Sequence, residues 1–154
     1  MQTQPFTAAP MAAPRLNAVP SQRAANSSAP DIDDRFLALL AGYRPSGGLL
    51  RGEELVDCAH LARRIVSRDV ISFEWGGGYW LPAFQFAERD IISVRPQVAR
   101  VLAELVGAFD DWSTAEWFVT PNVSLGDRVP MALLTSDPTA VSSAARVDRF
   151  IARG

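Results

Sequence analysis

The chain contains very few of the side chains that crosslink proteins or bind metal ions. Its 154 residues include one cysteine, Cys58, and one histidine, His60. A single cysteine excludes a disulfide within the chain and a zinc site built from several cysteines, and a single histidine cannot form a histidine-rich site. We therefore expect no bound metal and no cofactor, with Cys58 and His60 in packing or surface roles.

Lysine and long apolar runs are also missing. All fifteen basic side chains are arginine, a bias typical of a GC-rich bacterial genome, and the formal net charge is only −2. This charge gives no general attraction for nucleic acid or an acidic membrane. No apolar run approaches the ~20 residues that span a bilayer, and no secretory signal is visible at the N-terminus. The sequence thus predicts a soluble, cytoplasmic protein without a membrane partner.

Residues 1–30 differ in composition from the rest of the chain. Alanine, proline, serine and polar amides dominate this segment, and its only charged side chains are Arg15 and Arg23. Such a segment has too few apolar groups for burial to offset the entropy lost on ordering. We predict that residues 1–30 form a disordered, Pro/Ala-rich arm.

The pattern over residues 31–92 predicts helices and a β-hairpin. Asp31 can begin a short leucine-rich helix, and apolar residues recur at helical spacing from 52 to 67. The β-branched and aromatic residues on both sides of the glycines at 76–78 predict the hairpin. Pro82 favours an edge position or a bulge for its second strand. Together these elements resemble a degenerate winged helix.

Residues 93–154 predict a purely helical module. An apolar stripe follows Pro96, where a proline is tolerated in the first turn of a helix. A second, short helix carries Trp117, with Ser113 and Glu116 forming a capping box at its start.

The last helix opens at Pro138. Its apolar positions are expected to face inward: Ala140, Ala144, Val147 and Ile151. The predicted fold class is therefore α+β and mainly α-helical: a small helical domain with one β-hairpin, preceded by the disordered arm.

No catalytic motif is visible. The glycines at 76–78 are not followed by the lysine or the helix of a phosphate-binding loop, and Glu74 and Glu88 have no matched acid–base partner. We expect a non-enzymatic protein. Trp112, Trp117 and Phe118 are either interface anchors or, in the interpretation that we favour, core residues.

Several polar residues are candidates for partner binding. Arg128, Arg146, Arg149 and Arg153 lie outside the apolar stripes. Their guanidinium groups can bind a carboxylate-lined pocket, or they can merely complement the dipole of a helix end. Asn122 can bond to the backbone of a partner or cap its own turn.

A second group of arginines suggests another kind of contact. Arg63, Arg64 and Arg68 can follow a phosphate backbone, although neighbouring acidic residues favour an ordinary solvated face.

Two blocks of residues resemble a known family. The first is Leu81-Pro82-Ala83-Phe84-Gln85-Phe86, and the second is Trp117-Phe118-x-x-Pro121-Asn122-x-x-Leu125-Gly126-x-Arg128-x-Pro130-x-x-Leu133-Leu134. A final helix containing Val141, Ala144, Ala145 and Arg146 completes the pattern. From about Gly48 to the C-terminus, the chain resembles the Xre/MbcA/ParS-type toxin-binding proteins, the antitoxins of bacterial toxin–antitoxin pairs.

This resemblance implies a function in neutralisation. Proteins of this type pair with RES-domain toxins, which consume NAD or transfer ADP-ribose, and their C-terminal domain covers the active-site cleft of the toxin. By the same resemblance, Asn122, Leu125, Arg128 and the C-terminal arginines become contact residues, and a homodimer is expected. Related antitoxins often repress their own operon through a helix-turn-helix, but residues 50–68 supply only one helix.

The sequence therefore predicts an antitoxin-like protein that sterically blocks a cognate RES-type toxin. One alternative is a small DNA-binding transcriptional regulator that reads an operator with the helix at 52–67 and the hairpin as a wing. Another is a non-enzymatic adaptor or scaffold protein that uses the N-terminal arm as a docking peptide.

Overall fold

The computed structural model describes residues 30–55, 58–87 and 93–154, without the side chain of Cys58. The predicted disordered arm lies outside these residues, except for Pro30, and so does Glu88. Within the described ranges the fold is α+β and mainly helical, as predicted. It contains six α-helices and one antiparallel sheet of three strands.

The helices follow the predicted order. Their bounds are α1 Ile32–Tyr43, α2 Cys58–Val66, α3 Pro96–Leu105, α4 Asp111–Trp117, α5 Pro130–Leu133 and α6 Pro138–Arg153. The prediction of one helix over 52–67 was too long. Gly52–Glu54 forms a separate 3₁₀ turn, which is closed by a hydrogen bond from the Leu55 N–H to the Gly52 carbonyl.

The sheet has one more strand than the predicted hairpin. Its strands are β1 Leu49–Arg51, β2 Phe73–Trp75 and β3 Gly78–Pro82, and β3 lies between the other two. Trp80 is the register partner of Arg51 on one side and of Phe73 on the other. The hairpin is confirmed, but the prediction that its second strand lies at an edge is wrong.

A buried glutamine explains how Pro82 fits in the central strand. Continuing the register of β2 and β3 places Pro82 opposite Ile71, and proline has no N–H to donate to that residue. The side-chain amide of Gln85 takes this role. Its Oε1 accepts from the Ile71 N–H at 2.7 Å, and its Nε2 donates to the carbonyl oxygens of Ile71 at 2.9 Å and Pro82 at 3.0 Å.

One hydrophobic core joins the two predicted halves of the chain. It combines Phe36, Tyr43 and Phe73 with residues of α3, α4 and α6. The segments 31–92 and 93–154 therefore share a core and do not form two separate ones. The Tyr43 hydroxyl donates to the Ala115 carbonyl inside this core, and burial raises the pKa of Tyr43 well above its ordinary value.

The start of α4 differs from the predicted capping box. Asp110 caps this helix, because its Oδ1 accepts from the Ser113 N–H at 2.6 Å. Glu116 does not close a box with Ser113. It binds Arg35 of α1 instead, through two contacts of 2.6 and 2.9 Å, and this hydrogen bonding raises the pKa of Arg35.

Candidate protein-binding surface on the last helix

The inward face of α6 is built from small residues. Val141, Ala144 and Ala145 are buried and lie against α3 and the rest of the core. Asp148 continues the same face one turn later, since positions three and four apart share a side of a helix. Alanine side chains let α6 approach α3 closely, and this contact decides which stripe of the helix is buried.

The prediction that Val147 and Ile151 face inward is wrong. Val147 is 46% exposed and Ile151 is 68% exposed. The sequence allowed two overlapping apolar stripes on this helix, and the stripe through Val141 and Ala145 is the one that packs. Of the other stripe, Ala144 is buried and Ala140 packs against the core, and only its second half, Val147 and Ile151, is turned towards solvent.

These exposed residues form part of an apolar patch. Val147, Phe150 and Ile151 have the i, i+3, i+4 spacing of one helix face, and Phe150 is 79% exposed. The 3₁₀ turn Val123–Leu125 packs against α6 and carries Val123, which is 87% exposed. We call these four residues the α6 patch. Single exposed apolar residues are common, whereas several on one helix indicate an interaction surface.

Phe150 was not among the contact residues predicted from the sequence. A signal was nevertheless present, because Phe150 lies outside both apolar stripes of α6, where a large aromatic residue has no core to fill. An aromatic side chain in such a position is typical of a residue that anchors an interface.

Asn122 and Leu125 hold the turn beside this patch in place. Asn122 caps the turn, with its Oδ1 accepting from the Ser124 N–H at 2.9 Å, and its Nδ2 donates to Asp148 Oδ2 at 2.6 Å. Leu125 is buried in the core. The structure thus places both predicted contact residues below the surface, where they shape the turn that presents Val123.

Asp148 connects this turn to α4. Its Oδ2 also accepts from Trp117 Nε1 at 2.7 Å. Trp117 and Phe118 are both buried, which confirms the interpretation of these residues as core, and Trp112 is half-buried and packs against the same core. One carboxylate oxygen therefore links three segments of the C-terminal region beneath the α6 patch.

The predicted arginines lie around the patch with different partners. Arg146 and Arg149 both pair with Glu104 of α3, at 3.0 and 2.6 Å. Arg128 is exposed and donates from Nε to the Leu125 carbonyl, and Arg153 is exposed at the end of α6. Two guanidinium groups therefore share one carboxylate here, while Arg128 and Arg153 have no carboxylate partner among the ion pairs of the described residues.

The three arginines predicted to follow DNA do not form one exposed group. Arg63 is exposed and Arg64 is half-buried. Arg68 has a left-handed backbone with a φ of 55°, and its guanidinium contacts Asp111 Oδ1 at 3.0 Å and the Phe109 carbonyl at 2.7 Å. The DNA-binding alternative stays a prediction, with fewer exposed cations to support it than the sequence suggested.

The described residues contain neither a metal-binding group of side chains nor a membrane-spanning helix. No group of three His, Cys, Asp or Glu side chains in these ranges is arranged to hold a metal ion. In the same part of the chain, no helix has the length and apolar character needed to cross a membrane.

No protein-family model, curated protein or solved structure matches the chain.

Proposed function

We propose that this protein is an antitoxin-like protein that binds a RES-type toxin and blocks its active site sterically. The resemblance of the C-terminal motifs to toxin-binding proteins supports this function. The observation that carries the proposal is the α6 patch, since Phe150 and Ile151 are largely exposed beside the turn that carries Val123.

The chemistry of this surface describes the partner that it fits. An aromatic side chain surrounded by aliphatic ones suits a hydrophobic pocket, where buried aromatic anchors contribute most of the binding energy. The nearby arginines suit a pocket lined by carboxylates, because guanidinium groups bind carboxylates through paired hydrogen bonds. Steric blocking requires no catalytic residue in the antitoxin itself.

Co-expression with the toxin encoded by the neighbouring gene tests the proposal. Phe150→Asp places a charge at the centre of the α6 patch, and we expect it to abolish both protection of growth and co-purification with the toxin. Leu37→Asp is the matched control, because Leu37 is 60% exposed on α1 and lies outside the patch. This control is expected to protect cells as well as the wild type does.

Cellular NAD and the circular dichroism of each purified variant complete the experiment. NAD is expected to fall in cells with Phe150→Asp and to stay at the wild-type level with Leu37→Asp, while both variants keep the wild-type spectrum. The proposal fails if the neighbouring gene is harmless when expressed alone. It also fails if folded Phe150→Asp still protects the cells.

Charge reversal separates the electrostatic part of the interface from the apolar part. Arg153→Glu and Arg128→Glu are suitable because neither residue has a carboxylate partner among the ion pairs of the described residues. Arg149→Glu is unsuitable, since it would place a second carboxylate against Glu104. We expect each reversal to weaken toxin binding, most strongly at low salt.

A further inference from the structure

An apolar groove lies on a different face of the molecule, between α2 and the hairpin turn. Its volume is about 320 Å³, and its lining includes Gly52, Leu61, Ala62, Ile65, Val66 and Tyr79. Val66 is 84% exposed at the end of α2. The groove is thus open to solvent although most of its wall is apolar, and such a surface indicates a binding site.

The floor of the groove is firmly built. Leu61 belongs to a second hydrophobic cluster with Leu55, Val70, Leu81 and Phe86, and Ile65 packs against this cluster. Gly52 lies at the base of the groove, where an added Cβ would meet Tyr79 at 3.6 Å and Leu61 at 3.7 Å. These are ordinary van der Waals distances, so a side chain at position 52 would occupy the groove without strain.

The N-terminal segment joins the described fold close to this groove. Asp33, near the start of α1, accepts a hydrogen bond of 2.9 Å from Trp75 Nε1. Ile32 and Asp33 share a small surface cavity with Gly77 of the hairpin turn, and Gly77 also lines the groove. The start of α1 therefore lies against one side of the hairpin turn, and the groove borders the same turn at Gly77.

The charges along this path are complementary to those of the N-terminal segment. Residues 1–30 carry two arginines, Arg15 and Arg23, and no acidic residue. The path to the groove carries exposed carboxylates on Asp31, Asp33, Asp34 and Glu74, and Glu53 in the groove lining pairs with Arg51 at 3.8 Å. Attraction of this kind brings a tethered segment towards its site, and it weakens as salt is added.

The sequence of the segment between the two arginines fits an apolar groove. Pro14 and Pro20 favour polyproline II, which has three residues per turn. Leu16 and Val19 are three positions apart, so this conformation places them on one edge. The ten residues from Ser21 to Pro30 can span ~30 Å when extended, at ~3.3 Å per residue, which is ample for a site beside the hairpin turn.

We propose that residues 15–23 of the same chain bind in this groove. Leu16 and Val19 pack on the wall formed by Val66 and Tyr79, and the two arginines lie towards the exposed carboxylates of α1 and the hairpin. The docked segment covers the face made by α2 and the hairpin, and it leaves the α6 patch accessible. This inference does not depend on the proposed function.

Limited trypsin digestion of the full-length protein tests the docking, because Arg15 and Arg23 are themselves cleavage sites. We expect slow cleavage at both in the wild type. Val66→Glu, which charges the wall, and Gly52→Leu, which fills the floor, should each accelerate this cleavage by about tenfold, as expected when a docking free energy of ~1.4 kcal/mol is lost. Leu37→Glu is the matched control, as another exposed apolar site outside the groove, and should leave the rate unchanged.

Substitution within the segment provides an independent test. Val19→Asp should accelerate cleavage as much as Val66→Glu does, and the double variant should show no further increase, because both changes remove the same contact. Equal rates in the wild type and in all the groove variants would overturn the proposal, provided that circular dichroism shows intact folds. Protection that increases with protein concentration would also overturn it, since a second copy would then be the occupant.

Discussion

At the scale of the single residue, the buried amide of Gln85 has the clearest structural role. A primary amide has the same donor and acceptor groups as a peptide bond, so Gln85 can pair with the Ile71 backbone as a strand residue would. Because Gln85 is completely buried, no water can replace these bonds. The side chain thus extends the sheet past the position where Pro82 lacks an N–H.

We expect Gln85→Met to lower the free energy of unfolding by about 2–4 kcal/mol. Methionine keeps the volume but leaves the N–H and carbonyl of Ile71 without these partners, at a cost of about 1–3 kcal/mol for each buried group. Chemical denaturation measures the change. Gln97→Met is the control, because Gln97 is half-buried on α3. This substitution should cost less than about 0.5 kcal/mol. A similar loss in both variants would contradict the assigned role.

At the scale of the element, the ends of the helices show how local chemistry and tertiary contacts compete. Ser113 and Glu116 have the spacing of a capping box, yet Asp110 caps α4 and Glu116 binds Arg35. The ion pair between Glu116 and Arg35 connects α4 to α1. Glu116 therefore makes a contact between two helices instead of a capping contact within α4. Asp110 caps α4 in place of Ser113.

The pH dependence of stability should reveal the Asp110 cap. The hydrogen bond from the Ser113 backbone is the main reason why the pKa of Asp110 is lowered. A carboxylate with a lowered pKa in the folded state stabilises the protein fully above its unfolded pKa, ~3.9, and loses this effect as the pH falls through the folded value. We expect Asp110→Ala to cost about 1 kcal/mol at pH 7, as for other helix caps.

Urea denaturation at pH 7 and at pH 2.5 measures this prediction. The difference between the wild type and Asp110→Ala should be smaller at the lower pH. Asp110→Asn serves as the control, because its carbonyl oxygen still caps the helix but does not titrate, and it should retain most of the stability at both values. An Asn variant as unstable as the Ala variant at pH 7 would show that charge matters more than the hydrogen bond.

At the scale of the whole molecule, two hydrophobic clusters support two separate surfaces. The main core contains residues of α1 and α6, so the N-terminal helix and the C-terminal helix stabilise each other, whereas α2 packs on the second cluster. The α6 patch lies on the outer side of the last helix, and the groove lies beside α2 and the hairpin. Asp148 is the polar group that fixes α6 to α4 and to the turn that carries Val123.

We expect Asp148→Ala to lower the free energy of unfolding by about 1–3 kcal/mol. The substitution leaves the indole N–H of Trp117 and the amide of Asn122 without an acceptor, and a buried donor without a partner costs energy of this order. Asp148→Asn is the control, since its oxygen can still accept from both donors. Guanidinium denaturation compares the variants, and equal losses for Ala and Asn would refute the role as an acceptor.

Local patterns were enough to predict most of the elements. The turn at residues 76–78, the helix opening at Pro96 and the helix opening at Pro138 are all confirmed. Each depends on interactions between residues close in the chain, such as the Asp137 side chain accepting from the Ala140 N–H at the start of α6. The positions of buried aromatic residues were equally predictable, because Trp117 and Phe118 can lose contact with water only by joining a core.

The tertiary structure decided which face of each element is used. Val147 and Ile151 fit an inward stripe as well as Val141 and Ala145 do, and only the packing of α3 against α6 selects between the two. Strand β1 and the central position of β3 depend on the pairing of Leu50 with Leu81, thirty-one residues apart in the chain. Helical spacing and residue type are properties of neighbouring residues, whereas the choice of partner depends on distant ones. The exposed α6 patch is the result of that choice.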